Sequence, residues 1–223
     1  MTHARRFILA AVALAAGLPL HASAQAAPQA APEFQAEVQA ILENPRVQQA
    51  VEYLVETDDV TMANLRELTQ IPAPPFMEEV RGQRFAEMLT ELGVDSVWTD
   101  EEGNVIGMRR GRGTGTIVIS GHLDTVFPEG TDVSIRQVGD TLFAPGIADD
   151  TRGLVTVLAI LRAMNAAEIE TEADVWFVGT VGEEGLGDLR GMKHLFREGG
   201  PQIDAFFSVD GLGRHGITHA GLG

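Results

Sequence analysis

The chain has 223 residues, of which 44% are hydrophobic and 22% charged, an ordinary composition for a soluble globular protein and enough for one large or two small domains. A formal net charge of −16 argues against phosphate backbones and anionic membranes as partners, and so against nucleic-acid binding. Cysteine is absent, which excludes disulfides, thiolate metal ligands and a cysteine nucleophile.

Residues 1–24 place Arg5 and Arg6 ahead of an apolar stretch from Phe7 to Leu20 and then Ala22-Ser23-Ala24, the layout of a secretory signal peptide. The stretch is shorter than the roughly 20 residues a spanning helix needs and contains Gly17 and Pro19, which disfavours a membrane anchor. The expected product is therefore periplasmic or secreted, by ordinary or twin-arginine export. Removal of Arg5 and Arg6 takes the net charge from −16 to −18. Residues 25–33, rich in Ala, Pro and Gln, predict a flexible leader.

From Phe34 to about Gln70 the apolar residues recur at helical spacing: Val38, Ile41 and Leu42; Val51, Leu54 and Val55; Met62, Leu65 and Leu68. Pro45 separates two of these segments, and three short helices are predicted. Ile71-Pro72-Ala73-Pro74-Pro75 breaks the pattern, because proline lacks the donor and restricts the residue before it. A further helix is predicted from Met77 to Leu92, followed by β-like runs at Val94–Thr99, Asn104–Arg109 and Thr116–Ser120 and a hairpin around Gly139-Asp140.

The second half alternates a helix at Asp150–Ala166, a strand at Val175–Thr180, a helix at Leu189–Arg197 and a strand at Ala205–Val209. This alternation predicts an α/β fold, and Leu154, Val157, Leu158, Leu161 and Met164 form a stripe that buries against the sheet.

Three apolar strands share one design. Ile117-Val118-Ile119 leads to His122 and Asp124, Trp176-Phe177-Val178 to Glu183 and Glu184, and Phe206-Phe207-Ser208-Val209 to Asp210. The C-terminal strand edge is where open α/β sheets bind ligands, since the following loops diverge there into a crevice. A fourth loop, Ala144 to Asp150, delivers Asp149 and Asp150 just before the stripe helix. Helix capping is the ordinary alternative for either acid alone, and a structural pair for His122 and Asp124. The joint order of one imidazole and five carboxylates at strand ends is what points to a metal-dependent hydrolytic site.

Gly121-His122-Leu123-Asp124-Thr125-Val126, Pro145-Gly146-Ile147-Ala148-Asp149-Asp150 and Gly182-Glu183-Glu184-Gly185 resemble motifs of the zinc metallopeptidase family of peptidase T, glutamate carboxypeptidase, aminoacylase and acetylornithine deacetylase. The Ile71–Pro75 segment is similar too, and the resemblance extends from about Val60 to the last residue. It implies a three-layer helix-sheet-helix catalytic domain with a mixed, mostly parallel sheet. It also implies that His122, Asp149 and Asp210 hold one Zn²⁺ and that Asp149 bridges to a second, held by Glu184. Asp124 would then orient His122, and Glu183 would act as general base in cleavage of a peptide or N-acyl amino acid amide bond. Co²⁺ or Mn²⁺ could serve the same donors.

The same resemblance implies a second ligating histidine after an inserted lid domain that often mediates dimerisation. Neither occurs before Gly223, and residues 34–223 are therefore expected to be the N-terminal part of a catalytic domain, lacking the lid and binding about one zinc. His194, His215 and His219 are expected to be solvated or structural. Competing readings are a single-domain zinc aminopeptidase type, a non-catalytic binding or metal-storage module, and an acidic calcium-binding domain, the last of which leaves His122 unexplained.

Overall fold

The structure is a computed structural model that describes residues 31–211. The signal peptide expected at residues 1–24, most of the leader expected at 25–33, and His215 and His219 lie outside the described residues. The chain divides into two compact units, one ending at Val38 and the other running from Gln39 onward. The boundary falls within α1 (Pro32–Leu42).

From α2 onward the predicted elements lie in the second unit in the predicted order. α2 (Pro45–Glu56) starts where Asn44 Oδ1 accepts the Arg46 N–H at 2.9 Å, with Pro45 in the first turn, where its missing donor costs nothing. α3 (Asp58–Thr69) ends before the proline-rich segment and α4 (Glu79–Glu91) follows it. β1 (Ser96–Thr99), β2 (Val105–Arg109) and β3 (Thr116–His122) come next, then a hairpin of β4 (Arg136–Val138) and β5 (Thr141–Phe143). α5 (Arg152–Ala166), β6 (Asp174–Thr180), α6 (Arg190–Leu195) and β7 (Ala205–Ser208) complete the unit.

The main sheet has the order β1-β2-β6-β3-β7. β6 and β7 pair parallel to β3, β2 is antiparallel to both β1 and β6, and so only β2 runs against the other strands. Side chains alternate across the sheet with the period of two that a pleat imposes. Val105, Val175 and Phe177 pack with Leu65, Leu68, Phe85, Leu89 and the α5 stripe of Leu154, Val157, Leu158 and Leu161 on one face. Ile106, Val118 and Val178 pack with Leu195 of α6 on the other. The helix-sheet-helix layering expected from the sequence is thus observed, and each fully buried aliphatic or aromatic side chain contributes about 1.5–3 kcal/mol.

Placing β3 between β6 and β7 brings the C-terminal ends of three strands side by side, with His122 opposite Thr180 and Ser120 opposite Ser208. Among the described residues no helix is long and apolar enough to cross a membrane.

Candidate metal centre

His122 is the last residue of β3 and is almost fully buried, 3% exposed. Its Nε2 lies 3.0 Å from Asp149 Oδ1 and 3.9 Å from both Glu183 Oε2 and Asp210 Oδ1. One imidazole nitrogen therefore faces carboxylates from three different loops. His122, Asp149 and Glu184 each offer one donor atom, and the three atoms lie within 4.8 Å of one another. The Asp149 and Asp210 side chains are 37% and 40% exposed, so the cluster opens on one side to solvent.

The other ring nitrogen, Nδ1, meets the backbone carbonyl of Asp124 at 3.0 Å and its carboxylate at 3.4 Å. Of the two Asp124 groups near His122 Nδ1, the main-chain oxygen makes the closer contact. The Asp124 carboxylate has a second role that spacing could not reveal: Oδ1 accepts the Glu183 N–H at 3.0 Å and Oδ2 the Glu184 N–H at 2.9 Å. It is fully buried and ties the β3 loop to the β6 loop.

Asp150 shows the same kind of division. It is buried, its Oδ2 accepts the His122 N–H at 2.8 Å, and its Oδ1 accepts the Gly153 N–H at 3.0 Å in the first turn of α5. The capping explanation is thus the right one for Asp150, whereas neighbouring Asp149, joined to it by a cis peptide bond, faces the ligand cluster. Gly146 opens the loop with a φ of +73°, and a Cβ there would sit 2.6 Å from Thr125 Cγ2.

The electrostatics follow from burial and crowding. Burial works against a charged imidazole, but Asp124, Asp150 and Glu183 push His122 up to about 10. Burial raises Asp150 to about 7, against the pull of the His122 charge. Glu183 is also raised, first by burial and then by Asp210, Asp124 and Asp149, while burial and Asp149 raise Glu184. Asp124 is lowered despite its burial, because His122 and the two backbone N–H groups of Glu184 and Glu183 stabilise its charge.

The structure also contains supporting residues that the sequence reading missed. Arg81 is fully buried, donates to the carbonyls of Ile71 and Leu123, and is lowered to about 10 by burial. Asn104, also fully buried, accepts the Val181 N–H at 3.1 Å and donates to Gly191 O at 3.0 Å. Nothing in a single sequence separates such residues from a solvated helix face or a loop amide. His194, on α6, lies 3.8 Å from Asp100 Oδ2 and is not among the clustered donors His122, Asp149 and Glu184.

The described residues form an α/β layered domain with an imidazole and several carboxylates gathered at the C-terminal edge of its sheet. Residues 118–219 match Peptidase family M20/M25/M40, a stretch that contains every sequence-predicted site residue. The resemblance first read from the motifs is thereby borne out. The chain is 37% identical over 122 residues to a proposed LysW-lysine/LysW-ornithine hydrolase of Pyrococcus abyssi, covering 55% of this chain and 33% of that protein. Carboxypeptidase G2 of a Pseudomonas species is 35% identical over 63 residues, covering 27% of this chain and 15% of the relative. The fold superposes on aminopeptidase PepT from Bacillus cereus with a TM-score of 0.56 at 27% identity, covering 73% of this chain and 44% of that one. Human carnosine dipeptidase 1 shares the fold, with a TM-score of 0.59 at 17% identity and coverage of 74% and 41%. The chain thus spans about a third of the length of the Pyrococcus relative.

Proposed function

We propose that this chain is the metal-carrying part of an exported zinc-dependent hydrolase that cleaves a peptide or N-acyl amino acid amide bond. The observation that carries the reading is the convergence of His122, Asp149 and Glu184 donor atoms within 4.8 Å, with Glu183 and Asp210 beside them. Burial first, and then the neighbouring carboxylates, raise Glu183 and Glu184, and a cation placed among these side chains would be favoured by their crowded negative charge. One histidine with carboxylate oxygens suits Zn²⁺, with Co²⁺ or Mn²⁺ as alternatives.

His122, Asp149 and Asp210 would hold one ion, and Asp149 and Glu184 a second. Bound zinc supplies Lewis-acid polarisation of the scissile carbonyl and makes water more acidic. Glu183 then takes the proton from the attacking water at its carboxylate and returns it to the leaving nitrogen. Its half-buried position and raised pKa suit both halves of that transfer. Asp124 holds Glu183 and Glu184 by their backbone N–H groups, so that one can bind while the other moves the proton.

Export rests on residues 1–24, and the substrate class on the hydrolases and peptidases to which the chain is similar. The protein would be periplasmic or secreted. The test is metal analysis after dialysis combined with hydrolysis of dipeptides and N-acyl amino acids by the zinc-loaded protein. About one retained zinc is expected from the donor set. No retained metal and no hydrolysis would overturn the proposal; N-terminal sequencing of exported protein, expected to begin after Ala24, tests the leader.

A further inference from the structure

We propose that Arg190 is a positioning residue that, through an ion pair with buried Glu78, holds the turn carrying Glu183 and Glu184 in its metal-binding shape. The inference rests on the metal reading above and concerns residues outside the ligand cluster.

The turn from Val181 to Glu184 is held along its length. Asn104 binds the Val181 N–H, Gly191 N–H donates to Val181 O at 3.0 Å, and Asp124 binds the N–H groups of Glu183 and Glu184. Gly182 lies between these anchors with a φ of +60°. Its open side is filled by Arg190, whose Cγ and Nε would lie 2.6 and 2.7 Å from a Cβ on Gly182. The Arg190 N–H also reaches Gly182 O at 3.3 Å. The buried Arg190 Nε has no hydrogen-bond partner, so packing against Gly182 holds this part of the side chain in place.

The far end of Arg190 is held firmly. Nη2 lies 2.8 Å from both Glu78 oxygens, Nη1 reaches Glu102 O at 3.2 Å, and the guanidinium lies 5.3 Å from the centre of the Phe76 ring. Glu78 is itself buried, and its Oε1 accepts the Phe76 N–H at 3.2 Å. An exposed ion pair is screened by solvent and directs little, but this pair has a buried carboxylate and a guanidinium side chain wedged on a positive-φ glycine. Together they form one wall of a cavity of about 610 Å³. The Glu78–Arg190 pair is therefore a strut between the start of α4 and the turn after β6. Arg81, which is fully buried, instead donates its hydrogen bonds to the Ile71 and Leu123 carbonyls.

The test compares wild type with Arg190→Met, Glu78→Gln, the double variant and Arg190→Lys. Zinc affinity is measured against a chromophoric chelator, after near-UV circular dichroism has established that each metal-free protein is folded, and the visible absorption of the Co²⁺-loaded forms is recorded. Each single variant is expected to bind zinc about tenfold or more weakly, as loss of an outer support does in metal sites. The double variant should be no worse than the worse single variant, Arg190→Lys should recover part of the loss, and the Co²⁺ spectrum of Arg190→Met should change. Glu78→Gln leaves Arg190 packed on Gly182 and tests the link even if Arg190→Met does not fold. Wild-type zinc affinity in the folded single variants, or losses that multiply in the double variant, would overturn the strut alone. Wild-type protein that binds no zinc would overturn the metal reading and the strut with it.

Discussion

Asp124→Asn isolates the clamp on the paired glutamates. The carboxylate accepts the Glu183 and Glu184 N–H groups at 3.0 and 2.9 Å from a fully buried position. An amide keeps the shape but turns one acceptor into a donor, so one backbone N–H faces another N–H and is left unsatisfied at a cost of about 1–3 kcal/mol. The surviving bond is no longer charge-assisted, and His122 loses a carboxylate 3.4 Å away. Together these lower stability by about 2–4 kcal/mol, or roughly 5–15 °C in melting temperature for a domain of this size. The Asp124 carbonyl still holds His122 Nδ1, so the imidazole stays oriented and the damage falls on the Glu184 side. Zinc affinity is expected to drop about 10–100-fold. Calorimetry on the chelator-treated protein and a zinc competition titration measure the two effects. An Asp124→Asn protein that melts with wild type and binds zinc as tightly would refute the clamp.

Glu183→Gln is expected to retain zinc but lose turnover, whereas Asp149→Ala loses zinc; equal metal loss in both would remove the division between base and ligand. Gly153→Ala would drive a Cβ into the Asp150 carboxylate and the Val209 carbonyl, and a loss of about 3 kcal/mol or more is expected in urea unfolding. The metal-free protein should become less stable as pH rises. His122 binds its proton more tightly when folded, so its contribution is full below pH 6.5 and is lost as pH passes about 10. Asp150, raised from 3.8 to about 7, acts in the same direction between those values. Urea midpoints at pH 5, 7 and 10 in chelator read this directly, and a midpoint that rises with pH would contradict the assignment.

Most of the element order was legible in the chain. Periodicity located α2, α3, α4, α5 and the strands to within a few residues, because each buries one face and the burial pattern is written at spacing 3.6 or 2. His122, Asp149, Glu183, Glu184 and Asp210 were legible as a group because they follow apolar strands or precede the stripe helix, where ligand sites form. What remained hidden is how neighbours divide their tasks. Asp149 and Asp150 read alike, yet one faces the cluster and the other caps α5 and holds the His122 N–H.

The sequence by itself determined the α/β class, the donor types and their placement at strand ends, since hydrophobic spacing and side-chain chemistry are local properties. The tertiary structure decided the strand order β1-β2-β6-β3-β7 and with it the meeting of residues 122, 149, 183, 184 and 210. It also decided the buried supports, Asp124 under the glutamate pair, Asp150 behind His122, and Arg190 against Gly182. The Asp150–His122, Asp124–Glu184 and Glu78–Arg190 bonds join positions 28 to 112 residues apart, and only packing brings such separated groups within hydrogen-bond range.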